Sequence, residues 1–346
     1  MTTWRIVLIL AMGAALLSIA ACDREITRIE RVETAPSDCF NCHSDQETFV
    51  VSAQAQWEHS VHASGDNIDR NTPPCSGCHT SQGFKERVAG NPVGTYPNPT
   101  AIHCFTCHLP HTDRNLEPVI SAPQPLENGA VYDFHGANIC TACHHALQSV
   151  DTYIDSTVTL SAHWGPHHGP QTDMLIGSNG YEYEGYDYLQ LVFHKTLTDD
   201  GCLDCHMETT SNYVVGGHSF NMAAMLQGEE ILNTAACDKC HLDLSDFNYH
   251  DIQDSVTVLK DDLLTALVNA GLMLPDGEPE SVTTSADSAG AVWNFLIVDQ
   301  DRSMGVHNSR YIIGLLESSI QYLAGDLPQD GVREAPRVTL RAQRRR

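Results

Sequence analysis

The chain has 346 residues, with 44 acidic side chains against 19 basic ones and a formal net charge of −25 at pH 7. Such a body repels nucleic acid and anionic membrane surfaces and favours a basic partner, so a nucleic-acid-binding role is excluded. No change of composition along the chain marks an independent second domain, although the length is generous for one ordinary core.

The N-terminus reads as an export signal. Arg5 precedes an apolar stretch from Ile6 to Leu17, too short to span comfortably as a mature helix. Ile19-Ala20-Ala21-Cys22 closes it with small residues before a cysteine. This resembles a bacterial lipoprotein signal, which would remove residues 1–21, make Cys22 the lipidated first residue and leave 22–38 as a linker. A plain secretory signal or an uncleaved anchor is the alternative. Asp23 resembles the inner-membrane retention residue of enteric bacteria, yet the sequence does not say which membrane would hold the anchor.

From residue 39 the chain repeats one pentapeptide, Cys-x-x-Cys-His, six times: Cys39–Cys42–His43, Cys75–Cys78–His79, Cys104–Cys107–His108, Cys140–Cys143–His144, Cys202–Cys205–His206 and Cys237–Cys240–His241. This is the attachment site of c-type haem. The two sulfurs add to the haem vinyl groups, and the adjacent histidine becomes the proximal iron ligand. A zinc site or a thiol–disulfide pair would also use paired cysteines, but neither needs a histidine after every second one. The motifs therefore predict six covalently attached haems c and an exported protein, because attachment requires reduced cysteines outside the cytoplasm. They absorb twelve of the 13 cysteines, and Cys22 is the thirteenth.

The repeat is loose, with its longest gap between Cys140 and Cys202. Pro- and Gly-rich stretches such as Pro73-Pro74 and Gly90-Asn91-Pro92 predict short helical turns and loops between motifs. The long gap holds a histidine-rich segment, residues 163–170, and an acidic tyrosine-rich one, residues 181–188. The latter is expected to be a surface loop packing its rings on a haem edge. The haem-binding region thus covers 39–250. In it the polypeptide should wrap a haem chain instead of building a side-chain core, consistent with only 9 Phe and 4 Trp.

Helical periodicity takes over in 251–325. Ile252, Val256, Leu259, Leu263 and Leu267 form one apolar stripe, Ala289 to Val298 a second helix, and Asn308 to about Leu323 a third. These helices are expected to pack on the haem region or on another copy. Six arginines, Arg333, Arg337, Arg341, Arg344, Arg345 and Arg346, fall within 326–346 and read as a solvated, disordered tail. The fold class expected is mainly α with long loops and little β.

Beyond the six proximal histidines there are thirteen others, enough for bis-histidine ligation of every iron. Trp57-Glu58-His59-Ser60-Val61-His62 resembles the Trp-x-x-Ser-x-His segment of a multihaem superfamily. That superfamily contains the tetrahaem cytochrome of ammonia oxidisers, pentahaem nitrite reductase and hydroxylamine oxidoreductase. Cys104 to His111, Cys205-His206-Met207, Gly217-His218-Ser219-Phe220 and Gly305-Val306-His307-Asn308 look similar to pieces of the same superfamily. The resemblance implies distal ligation by His62, His218 and His307 first. His111, His135 and one of His167 or His168 come next, and His194 can substitute. His145, beside the proximal His144, points the wrong way to bind the same iron.

The chain departs from the enzymes of that superfamily. No Cys-x-x-Cys-Lys occurs among its four lysines, so the lysine-ligated catalytic haem of the nitrite reductases is missing. Hydroxylamine oxidation instead uses an open haem cross-linked to a tyrosine, an option that the tyrosine-rich residues 181–188 keep alive. No catalytic residue is assigned. Three functions stay open at this level. One is a membrane-tethered periplasmic electron carrier of respiration, passing electrons between other cytochromes, a quinol-oxidising complex or a terminal reductase. The others are an oxidoreductase of a small nitrogen or sulfur compound at one open haem, and a homo-oligomeric filament subunit. If Cys22 carries the lipid, Cys22→Ala releases the protein from the membrane pellet into the soluble fraction on cell fractionation; unchanged pelleting would remove the lipoprotein reading.

Overall fold

A computed structural model describes residues 48–326, apart from 114, 189–192 and 243. The signal segment with Cys22, the motif Cys39–Cys42–His43 and the arginine tail lie outside the described residues. Short helices and long loops run through the first half. These are α1 (Thr48–Trp57), α2 (Val61–Ser64), α3 (Ser76–His79), α4 (Ser81–Val88), α5 (Cys104–Cys107), α6 (Pro110–Asp113), α7 (Asn138–Thr141), α8 (Val150–Tyr153), α9 (Gln171–Ile176), α10 (Phe193–Leu197) and α11 (Cys202–His206). Among the described residues, strands occur only as three two-stranded antiparallel ladders, the longest pairing 223–226 with 229–232. The expected class, mainly helical with loops and little β, is what the chain adopts.

Three long helices follow: α12 (Ile252–Asn269), α13 (Ala286–Asp301) and α14 (Ser309–Ala324). Each starts or stops where local chemistry dictates. The Ser285 hydroxyl accepts from Ser288 N at the start of α13, and the Asn308 side chain accepts from Tyr311 N at the start of α14. Arg302 (φ 61°) and Gly325 (φ 76°) end these two helices in left-handed geometry. Helix α13 begins three residues before the apolar run that betrayed it, because its first turn, Ala286-Asp287-Ser288, is mostly polar.

The three helices enclose a side-chain core. Val256, Leu263 and Leu267 of α12, Ala289 to Val298 of α13, and Tyr311, Ile312, Leu315 and Leu316 of α14 are buried together. Segments from the long inter-motif gap join them: Val150, Ile154, Leu160, Trp164 and Met174 belong to the same core. The expected absence of a side-chain core therefore fails here, although few buried apolar residues lie before residue 126. Helix α13 is the central member, apolar on every side, as a helix covered all round must be.

The tyrosine-rich segment departs from expectation for the same reason. Tyr183 and Tyr188 are buried, and the rings of 181–188 pack against the helices. Their hydroxyls are satisfied there: Tyr181 donates to Asp287, Tyr183 to the Asp287 carbonyl, Tyr186 to Glu317 and Tyr188 to Ser318. Asn294 clamps the segment, accepting from Tyr181 N at 2.7 Å and donating to Tyr181 O at 2.8 Å. An alternation of tyrosine with acid looks like surface in a sequence, but each ring here buries its face and keeps its hydroxyl bonded.

Among the described residues, no helix is long and apolar enough to cross a membrane. The Tyr181 ring lies directly over Gly290, where a Cβ would collide with it. Gly290→Ala should destabilise the helical core by about 1–3 kcal/mol, read as a lower denaturation midpoint, because a well-packed interior resists added volume.

Candidate haem-ligand pairs

The five described proximal histidines sit at the ends of short turns that their own motifs form. Cys75 to His79 closes on α3, where His79 N bonds back to Cys75 O at 3.2 Å. The same closure recurs at His108 (to Cys104 O, 2.9 Å), His144 (to Cys140 O, 2.9 Å) and His241 (to Cys237 O, 2.8 Å). The spacing thus places two sulfurs and an imidazole on one side of a single turn.

Opposite each proximal imidazole stands a second one. His144 faces His62 with ring centroids 6.2 Å apart, and His79 faces His167 at 6.3 Å. His108 faces His218 at 6.4 Å, His206 faces His307 at 6.4 Å, and His241 faces His194 at 6.3 Å. Two imidazoles bound to one metal through bonds of about 2 Å, on opposite sides, hold their centroids about 6 Å apart. The gap in each pair therefore fits one six-coordinate iron. Exposed apolar side chains flank these sites, including Phe105, Leu197 and Leu242, and offer the flat apolar contact a porphyrin requires.

The partners are set by the local fold. Ser60 accepts from Ala63 N and donates to Trp57 O, capping the turn that presents His62. Trp57 donates from Nε1 to Ile102 O at 3.0 Å, tying that turn to the chain just before the third motif. His218 is held through its backbone N, which donates to Gln56 Oε1. Phe220, at φ 58°, puts its ring against both His62 (5.2 Å) and His218 (6.1 Å), while its carbonyl accepts from His206 Nδ1 at 2.9 Å. One residue thereby touches ligands of three pairs.

Hydrogen bonds at Nδ1 fix the ring orientation and leave Nε2 for a metal. His144 Nδ1 meets Gln171 Oε1 at 3.2 Å, and Gln171 in turn donates to Gln300 O. His194 Nδ1 donates to Val306 O at 2.7 Å, and His307 Nδ1 donates to Asp301 Oδ1 at 2.6 Å. Burial, helped by neighbouring His144, pushes His62 down to about 4, which keeps this imidazole neutral with a lone pair to donate. Burial also lowers His79, His144, His167, His206, His218 and His241. His307 goes the other way: burial pulls it down, but the Asp301 carboxylate raises it further.

Of the eight candidate distal histidines, five thus face a proximal partner: His62, His167, His194, His218 and His307. His168 lies beside His167, with ring centroids 5.4 Å apart, and it is His167 that faces His79. His111 packs near Phe105 at 6.0 Å, and His135 opens a 3-10 turn at φ 46°. Neither stands opposite one of the five described proximal rings. Their only remaining motif histidine, His43, lies outside the described residues.

Neighbouring motifs lie against one another. The Arg87 guanidinium bridges Cys78 Sγ (3.1 Å) and Cys143 Sγ (3.6 Å), and the helix carrying Cys202 packs against the turn 135–137 that leads into the fourth motif. The fourth motif, with the turn leading into it, is therefore in contact with both the second and the fifth. Sequence reasoning missed Arg87, Gln171, Phe220 and Asp301, since a lone Arg, Gln, Phe or Asp carries no spacing signal. Only the basic residue within a helix following a haem motif could have suggested Arg87.

No protein-family model and no curated protein matches this chain. Among solved structures it superposes on the outer cell wall cytochrome OcwA with a TM-score of 0.50 and 21% sequence identity. The match covers 78% of this chain and 49% of that one, so this chain spans about half the length of OcwA. The likeness is one of fold: the chain has the mainly helical, loop-rich architecture of a multihaem cytochrome.

The pairing carries a direct test. His62→Ala removes one of two opposed imidazoles, so oxidised protein should gain a high-spin signal from one iron, read by electron paramagnetic resonance. An unchanged low-spin spectrum would show that His62 is not the partner of His144.

Proposed function

We propose that this chain is a hexahaem c-type cytochrome whose irons are held by paired histidines and which relays electrons between redox partner proteins. The observation that carries the reading is the set of five opposed imidazole pairs, each joining a motif histidine to a histidine from another segment. Cys75, Cys78, Cys104, Cys107, Cys140, Cys143, Cys202, Cys205, Cys237 and Cys240 would supply the thioether sulfurs of those five sites. Cys39, Cys42 and His43 would hold a sixth haem, with His111 and His135 the candidates for its distal side.

Haem iron with two imidazole ligands exchanges one electron and leaves no coordination position for substrate. What the protein adds is spacing, burial and the hydrogen bonds that tune each site. The contacts of the fourth motif with the second, and of the turn leading into it with the helix of the fifth, support a path between haems, since they bring attachment points side by side. The outer cell wall named for OcwA fits an exported protein, and with Cys22 as lipid anchor this chain would work on the periplasmic side of a bacterial inner or outer membrane. Its acidic surface favours basic partners, among other cytochromes, a quinol-oxidising complex or a terminal reductase.

The competing reading, reduction or oxidation of a small nitrogen or sulfur compound, would need an iron without its second imidazole. Five pairs leave it only the iron held by His43. Visible and paramagnetic resonance spectra of the oxidised protein separate the two. Six low-spin irons and no turnover of nitrite, hydroxylamine or sulfite with a reduced dye are expected. One high-spin iron together with turnover would make this an enzyme.

A further inference from the structure

The five pairs differ in what their Nδ1 atoms meet. Gln171 offers His144 an amide oxygen, while Phe220 and Val306 offer His206 and His194 backbone carbonyls. His108 Nδ1 is buried without a protein partner. His307 alone among these meets a carboxylate, that of Asp301 at 2.6 Å, and the Asp301 side chain is 0% exposed.

That carboxylate is in an unfavourable place for helix stability. It is the last residue of α13, where the helix dipole already concentrates negative charge and where a cation would be the stabilising choice. Burying a charge there is costly unless it is paired. Its partners are few and specific: His307 Nδ1 and the Ser303 hydroxyl, which also accepts from His307 N at 3.2 Å. Residues 301, 303 and 307 form one closed loop of hydrogen bonds between α13 and α14, aimed at a single imidazole.

We propose that Asp301 is a positioning and tuning residue that makes the iron between His206 and His307 the lowest-potential centre of the chain. The proposal rests on the reading of the histidine pairs as axial ligands. By accepting the Nδ1 hydrogen, the carboxylate pushes electron density onto His307 and makes it a stronger donor. The oxidised iron carries one more positive charge than the reduced one, so the carboxylate stabilises it more, and the equilibrium for accepting an electron falls. A neutral carbonyl acceptor does this less.

The location gives the effect a consequence. Helix α11, which carries this motif, packs against the turn 135–137 that leads into the fourth motif and against the turn 234–236 that leads into the sixth, where Asn233 donates to Cys205 O. The fifth site thus lies between the fourth and the sixth. A low-potential centre there is a step that electrons must climb to pass from one end of the relay to the other. It would slow electron exchange between the two ends.

Spectroelectrochemical titration of the full-length, haem-loaded protein tests this, with Asp301→Asn and Ser303→Ala beside the wild type. In Asp301→Asn the lowest midpoint should rise by at least a tenfold change in its reduction equilibrium, about 59 mV for one electron, while the others hold. Ser303→Ala removes a donor that partly neutralises the carboxylate, so the same midpoint should fall; this variant decides the matter if Asp301→Asn does not accumulate. Unmoved midpoints with six low-spin irons would overturn the proposal and leave the ligand reading intact. A high-spin signal in Asp301→Asn without a shifted low-spin midpoint would overturn it too, reducing Asp301 to a strut for His307. Wild-type protein lacking paired-histidine low-spin signals would instead sink the reading beneath it.

Discussion

Two imidazoles held opposite one another, at a separation that fits one metal between them, form the constraint around which this molecule is arranged. Short turns of Cys-x-x-Cys-His supply one side of each pair without help from the rest of the fold. The other side cannot be supplied locally. Each distal imidazole must be carried in by a separate segment and held there by backbone and side-chain bonds of its own. Much of the described structure can be understood as the means of doing so: the Ser60-capped turn for His62, the Gln56 anchor for His218, and the junction of α13 and α14 for His307.

That junction matters beyond His307. Gln300 O receives Gln171, which orients His144; Asp301 orients His307; Val306 O receives His194. Residues of a single helix–helix connection therefore bear on three of the five described pairs. The apolar core of α12, α13 and α14 gives this connection a rigid base, and the tyrosine segment 181–188 closes over it. A helical bundle that carries no haem motif of its own still determines how these imidazoles stand.

The sequence shows some of this and hides the rest for physical reasons. Attachment sites are visible because covalent chemistry fixes both residue type and spacing over five positions. The C-terminal helices are visible because burial imposes a period on Val256, Leu263 and Leu267. The opposed pairs are half visible: His62, His218 and His307 stood out by resemblance, while His167 rather than His168 faces His79 because of a backbone turn at φ 70° that no residue pattern announces. The tyrosine segment misled because alternation with acid resembles a solvated loop, and only tertiary packing shows that its rings lie against the helices and its hydroxyls bond to them. Asp301 was invisible, since one aspartate at a helix end is ordinary until His307 is seen to donate to it.

The order of the pairs along the chain bears on how the protein is made. His62 waits for residue 144, His79 for 167, His108 for 218 and His206 for 307, so each closure joins segments far apart in the sequence. Contacts of that kind form late and slowly, because loop entropy is lost before the bond rewards it. On the paired-histidine reading, a chain emerging from its N-terminus into the export compartment would carry a singly ligated iron at His206 for as long as residue 307 is missing. The final closure belongs to His307, after every attachment motif has passed. On the paired-histidine reading, maturation ends with the bundle, and a chain truncated before α14 would be reactive where the complete one is inert.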